Sequence, residues 1–137
     1  MNRDDFQRLA NIRVKEARTL LDGGHYPGAY YLIGYAVECA LKACVSKQIK
    51  RYDFPDKKII IDAHAHELEK LVGIAGLATD FKQDRQIDKN LEANWAVVKD
   101  WKESFRYDLG ITRQQAFDLY FACKGRNGVL QWIKKRW

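Results

Sequence analysis

Residues 29–45 read AYYLIGYAVECALKACV, and this stretch decides the fold. Drawn as a helix, it is apolar on nearly every face. That is the pattern of a helix surrounded by others rather than laid on a surface. Pro27 suits a first helical turn, so a central buried helix is expected over residues 26–47. Gly34, Ala36, Ala40 and Ala43 are small and let neighbouring helices approach closely. The uninterrupted apolar run, residues 29–37, falls far short of the roughly 20 residues needed to span a membrane.

Working outward, Phe6, Leu9, Ala10, Ala17, Leu20 and Leu21 recur at three and four, giving a first helix over residues 2–22 that Gly23-Gly24 stops. Arg13 falls within this stripe and either snorkels to its edge or pairs with a buried acid. Residues 51–62, with Pro55 and flanking charges, read as a loop. Its short β-branched run, residues 59–61, has no second strand to pair with. A short helix is expected over residues 64–74, with Leu68, Leu71 and Val72 inward. A longer one is expected over residues 84–102, with Ile87, Leu91, Trp95, Val98 and Trp101 on one face. Thr112 and Gln115 form a capping-box pair that opens another helix to Lys124. The segment GVLQWIKKRW, residues 128–137, reads as a short terminal helix. The expected fold is all-α: an up-and-down bundle of four main helices with one or two short additions, in one domain over residues 1–137.

The 137 residues are 47% hydrophobic and 31% charged, which is globular rather than disordered. The net charge of +6, from 24 basic and 18 acidic residues, permits a phosphate-bearing partner without demanding one. The charged start, MNRDDFQRLANIRVKEA, lacks the apolar core of a signal peptide, so a cytoplasmic protein with no membrane association is expected. Cys39, Cys44 and Cys123 form no CxxC pair and read as buried free thiols. No phosphate loop, dinucleotide fingerprint or nucleophile elbow is present, and no cofactor is expected.

Four features carry chemistry. Glu38 lies inside the most apolar segment, where a carboxylate must be paired or neutralised. Lys42, four residues on, can serve; so can a tertiary partner such as Arg13 or Arg106, forming a charged pocket. Arg106-Tyr107, within WKESFRYDLG, can grip phosphate or stack on a base, or Arg106 can cap a helix or pair with Glu103 or Asp108. His64 and His66, beside Glu67, share no face at a helix start, so no metal site is read, and His66 is a candidate groove residue. The basic, aromatic end, with Trp132, Lys134, Lys135, Arg136 and Trp137, either meets nucleic acid or a partner, or buries its indoles and solvates its lysines. The aromatic content of 12%, with four tryptophans, exceeds what a small domain readily buries and suggests a homodimer interface.

The run ARTLLDGGHYPGAYYLIGYAVECALKA, residues 17–43, resembles the opening of HEPN domains, the helical nucleotide-binding domains of higher eukaryotes and prokaryotes. HAHELEKLVGIAG, NWAVVKDWKESFRY and GVLQWIKKRW are similar to the stand-alone bacterial branch. The resemblance implies a helical bundle, commonly dimeric, often encoded beside a minimal nucleotidyltransferase in pairs that act as toxin–antitoxin systems. Some members are metal-independent ribonucleases with an arginine, four to six residues, then a histidine, often with asparagine after the arginine. Here Arg126-Asn127 begins that pattern, but Gln131 holds the histidine position. Arg18 and His25 have the spacing, but Thr19 replaces asparagine and Gly23-Gly24 interrupts the helix. The resulting expectation is a non-catalytic HEPN protein that binds a nucleotide or RNA phosphate, or a nucleotidyltransferase partner, through Glu38, His66, Arg106 and Tyr107. The alternatives are an RNA-cleaving toxin using Arg18 and His25, and a purely structural dimerisation module.

Overall fold

A computed structural model describes residues 1–51 and 65–137. Helix α1 spans Arg3–Asp22. Asn2 caps it reciprocally: its side chain accepts from the Asp5 N–H at 2.9 Å, and Asp5 accepts from the Asn2 N–H at 3.0 Å. The buried stripe is Ala10, Val14, Ala17 and Leu21. Val14, and not Arg13, fills the inward position. Arg13 instead pairs with Glu16 at 2.7 Å and lies 5.9 Å from the centre of the Tyr35 ring. The helix stops in a Schellman turn. The His25 N–H reaches the Leu20 carbonyl at 2.8 Å and the Gly24 N–H reaches Leu21 at 3.2 Å. Gly24, at φ +80, supplies the left-handed residue this turn requires.

Helix α2 spans Tyr26–Arg51 and contains the whole expected segment. It packs against α1 and, through its other faces, against several elements that follow later in the chain. Ile33, Ala36, Val37, Ala40, Leu41 and Ala43 are all fully buried. Each buried branched side chain contributes about 1.5–3 kcal/mol relative to exposure. The small residue at position 34 admits an indole: a Cβ on Gly34 would fall 2.2 Å from Trp101 Nε1.

Helix α3, Leu68–Ile74, turns inward Leu68, Leu71 and Val72, as expected, and begins after His66 and Glu67 rather than at His64. The expected helix over residues 84–102 is instead two, α4 (Ala78–Ile87) and α5 (Lys89–Val98). Asp88 makes the break. Its extended backbone closes α4, and its carboxylate caps α5 by accepting from Asn90 and Leu91 N–H at 3.0 and 3.1 Å. Ile87 is consequently 84% exposed, not inward. Trp101 lies past α5 but is buried. A 3₁₀ turn follows, Glu103–Tyr107, then α6 (Arg113–Lys124), opened by the expected Thr112–Gln115 capping box, and α7 (Val129–Lys134).

The chain is an all-α bundle in which α1, α2, α6 and the broken pair α4–α5 surround one core. Phe81 stands edge-on to Trp95, with ring centres 4.9 Å apart, and meets Trp132 at 4.4 Å. Trp95, Trp101 and Trp132 are buried and Trp137 is partly covered. The surplus of tryptophan invoked for a dimer interface is therefore mostly spent inside one chain. Cys39, Cys44 and Cys123 are buried and free, as expected. No helix among the described residues is long and apolar enough to cross a membrane. The expected loop lies, beyond Arg51, outside the described residues, as does His64.

Candidate functional site

Glu38 has no exposed surface. The burial of its neighbours on α2 puts it on the packed side, where an unpaired carboxylate would be costly. Two side chains meet its Oε1. Lys42, one turn along, places Nζ at 3.2 Å, and His66, just before α3, donates from Nδ1. The tertiary partner is therefore His66, and neither Arg13 nor Arg106 reaches Glu38. Its second oxygen, Oε2, is buried without a hydrogen-bond partner among the described residues.

The other face of His66 continues the chain of contacts. Nε2 lies 3.0 Å from Glu103 Oε2, and Glu103 Oε1 lies 3.3 Å from the Arg106 guanidinium. Two carboxylates thus face the two ring nitrogens, and both contacts are hydrogen bonds only when both nitrogens carry hydrogen. The 3₁₀ turn sets this geometry, since it places Glu103 and Arg106, three residues apart, on one side. A polar line runs from the buried Glu38 through His66 and Glu103 to Arg106, whose side chain is 46% exposed.

Aromatic rings flank the line. Arg106 lies 4.7 Å from the Tyr107 ring centre, and Tyr107 is 71% exposed. Tyr31 stacks between Tyr35, at 6.0 Å, and Trp101, at 5.9 Å. Burial raises the Tyr31 phenol above its ordinary value, and the Glu103 charge adds to this while Arg106 opposes it. Burial, with Cys39 and Glu38 nearby, pushes Tyr35 up to about 12. Tyr107 beside it, and the Glu103 charge, raise the Arg106 guanidinium above its ordinary value.

Glu38, His66, Arg106 and Tyr107, singled out from sequence, therefore come together. Glu103 was foreseen as a partner of Arg106, but its bridge to His66 was not, because the two lie on elements that sequence spacing does not relate. Tyr31 and Tyr35 were read as part of an apolar run. Their four-residue spacing beside Glu38 was the available signal that they share a side of α2.

The alternative pair is differently placed. Arg18 is bound to Asp22 at 3.1 Å and lies 5.6 Å from the Tyr120 ring centre; Asp22 holds it in its charged form. His25 is exposed after the Schellman turn, and no hydrogen bond joins it to Arg18 among the described residues. Asn127 serves the turn before α7. It is left-handed at φ 56, its carbonyl accepts from Asn94 at 2.9 Å, and its amide meets Asp88 at 3.4 Å. At the end of the chain, Trp132 and Arg136 share Asp84, at 2.7 and 3.1 Å, so the indole is turned inward and not offered to a ligand. Among the described residues, no three His, Cys, Asp or Glu side chains gather as metal ligands would.

No family model matches the chain, and no curated protein or solved structure matches it either.

Proposed function

We propose that this chain is a non-catalytic HEPN-like protein whose Arg106–Tyr107 face binds a nucleotide or RNA phosphate, or receives a minimal nucleotidyltransferase as one half of a toxin–antitoxin pair. One observation supports this reading above the others. Arg106 is held by Glu103 at 3.3 Å beside an outward-facing tyrosine, and Glu103 is in turn fixed through His66 to a buried carboxylate. Such a guanidinium keeps several N–H groups for phosphate oxygens, and the Tyr107 ring offers a flat surface for a base.

The test is a calorimetric titration of adenine nucleotides into wild type, Arg106→Ala and Tyr107→Ala. Each substitution should weaken binding at least tenfold, about 1.4 kcal/mol. Equal affinity in all three proteins removes the face from the reading. No nucleotide binding, with an Arg106-dependent capture of a co-expressed nucleotidyltransferase, selects the protein partner. An RNA ladder should survive incubation with the wild type; cleavage that His25→Ala abolishes would overturn the non-catalytic part. The reading includes a homodimer, so light scattering at micromolar concentration should give twice the chain mass of 16.0 kDa. A monomeric mass refutes that part.

A further inference from the structure

A second polar place shares no residue with the Glu38–Arg106 line. A cleft of about 470 Å³ opens between α2, the α3–α4 turn and the end of α7. Lys47 and Gln48 line it from α2, Gly76 from the turn, and Lys135 and Arg136 from the end of α7.

These groups are arranged rather than merely near one another. Arg136 is fixed on three sides: its guanidinium lies 3.5 Å from the Trp132 ring centre, donates to the Trp132 carbonyl at 2.8 Å and meets Asp84 at 3.1 Å. Lys47 donates to the Arg136 carbonyl at 3.3 Å, which leaves it two further donors. Gln48 lies against Gly76, where a Cβ would fall 2.1 Å from its amide nitrogen. The positive φ of +73 at Gly76 belongs to the Schellman turn that ends α3, so a left-handed residue without a side chain shapes this wall.

Donors and positive charge are in surplus here. Among the described residues, none of the lining side chains is acidic. The carboxylate that touches the cleft's cations, Asp84, is already shared between Arg136 and the Trp132 indole. Among the described residues, neither the Lys135 ammonium nor the Gln48 amide has a hydrogen-bond or ion-pair partner. Carbonyls at the end of α7 take one donor of Lys47 and one of Arg136, and none from Lys135 or Gln48 among the described residues. Among the described residues, three cations meet one carboxylate, an excess of two positive charges that a dianion balances.

We propose that this cleft binds a small phosphate monoester. The dianionic head would sit between Lys47, Lys135 and the Gln48 amide, with Arg136 behind it. Three donor side chains from two elements match the oxygens of phosphate better than the two of a carboxylate. The volume exceeds what a bare phosphate fills and falls in the range of small-ligand sites, leaving room for the esterified group.

The experiment titrates inorganic phosphate, and acetate as the carboxylate arm, into the full chain and follows backbone amides by NMR at constant ionic strength. Phosphate should shift Gln48 and Gly76 saturably, and more tightly than acetate. The double variant Lys47→Ala/Lys135→Ala should weaken phosphate at least tenfold. Lys15→Ala/Lys99→Ala, which removes the same charge from exposed positions elsewhere, should change it less than twofold. Arg106→Ala should leave phosphate binding at Gln48 and Gly76 unchanged, which separates this site from the proposed nucleotide face. No saturable shift in the wild type, an equal loss in both double variants, or acetate binding as tightly as phosphate overturns the proposal.

Discussion

His66 donates to Glu38 across a gap of 28 residues and anchors the segment before α3 to a carboxylate with no exposed surface. The contact does two jobs. It offsets the desolvation of Glu38, and it fixes the imidazole so that its other nitrogen meets Glu103 at 3.0 Å. Removing the carboxylate leaves Lys42, whose side chain is 16% exposed, without its partner. Glu38→Ala should therefore destabilise the fold by about 3–5 kcal/mol, the range for breaking a buried pair from one side. His66→Ala should cost less, about 1–3 kcal/mol, because Lys42 remains on Oε1. Urea denaturation of both single variants and the double variant gives the coupling. Additive losses would show that the two side chains do not act together.

Gly34 sits against the Trp101 indole, and any Cβ there would lie 2.2 Å from Nε1. The indole is fully buried and stacked on Tyr31, so it has no open space to move into. Gly34→Ala should cost at least about 1–3 kcal/mol through overpacking, despite the better helix propensity of alanine. Near-UV circular dichroism should change with it, because the Tyr31–Trp101 stack must shift. A variant as stable as wild type, with an unchanged near-UV spectrum, would contradict the packing.

Asp88 ends one helix and starts the next. It caps α5 through two N–H groups and meets the Asn127 amide at 3.4 Å. Asp88→Ala should lose about 1 kcal/mol, typical of a deleted N-cap, and Asp88→Asn should recover most of it. A thermal melt of the three proteins decides this; an alanine variant equal to wild type would show that the cap contributes nothing.

Asp88 also shows where sequence reading stops. Ile87, Leu91, Trp95, Val98 and Trp101 fit one helical face, and the periodicity gave no reason to divide them. What divides them is a side chain that accepts from the backbone two and three residues on, an effect that competes with helix at an interior aspartate and leaves no trace in the apolar spacing. By contrast, α2 was legible because all-round apolarity has a single solution in a small bundle. The Thr112–Gln115 box was legible because both halves of its bonding lie within one turn. The candidate site falls between these cases. Glu38 stood out as a charge in an apolar run, and Arg106-Tyr107 as a cation beside an aromatic ring. The link through His66 and Glu103 depends on how α3 and the 3₁₀ turn meet α2, which local spacing does not encode.

The buried thiols and Tyr35 make the fold sensitive to alkali. Burial pushes Cys39 and Cys44 up to about 11 and Tyr35 up to about 12, from ordinary values of 9.0 and 10.0. Cys123, wholly enclosed, is raised further still. In the unfolded chain these groups ionise at their ordinary values, whereas in the folded chain they stay neutral to higher pH. The unfolded state therefore loses protons first, and stability falls as pH rises. The loss should begin near pH 9, as the unfolded thiols ionise, and continue through the folded values near 11. Urea midpoints measured at pH 7, 9 and 10.5 should decline over that interval. In Cys39→Ala/Cys44→Ala the decline should be shallower than in wild type, whatever the absolute stability of the variant at pH 7. Parallel curves for the two proteins would show that these thiols are not the groups responsible.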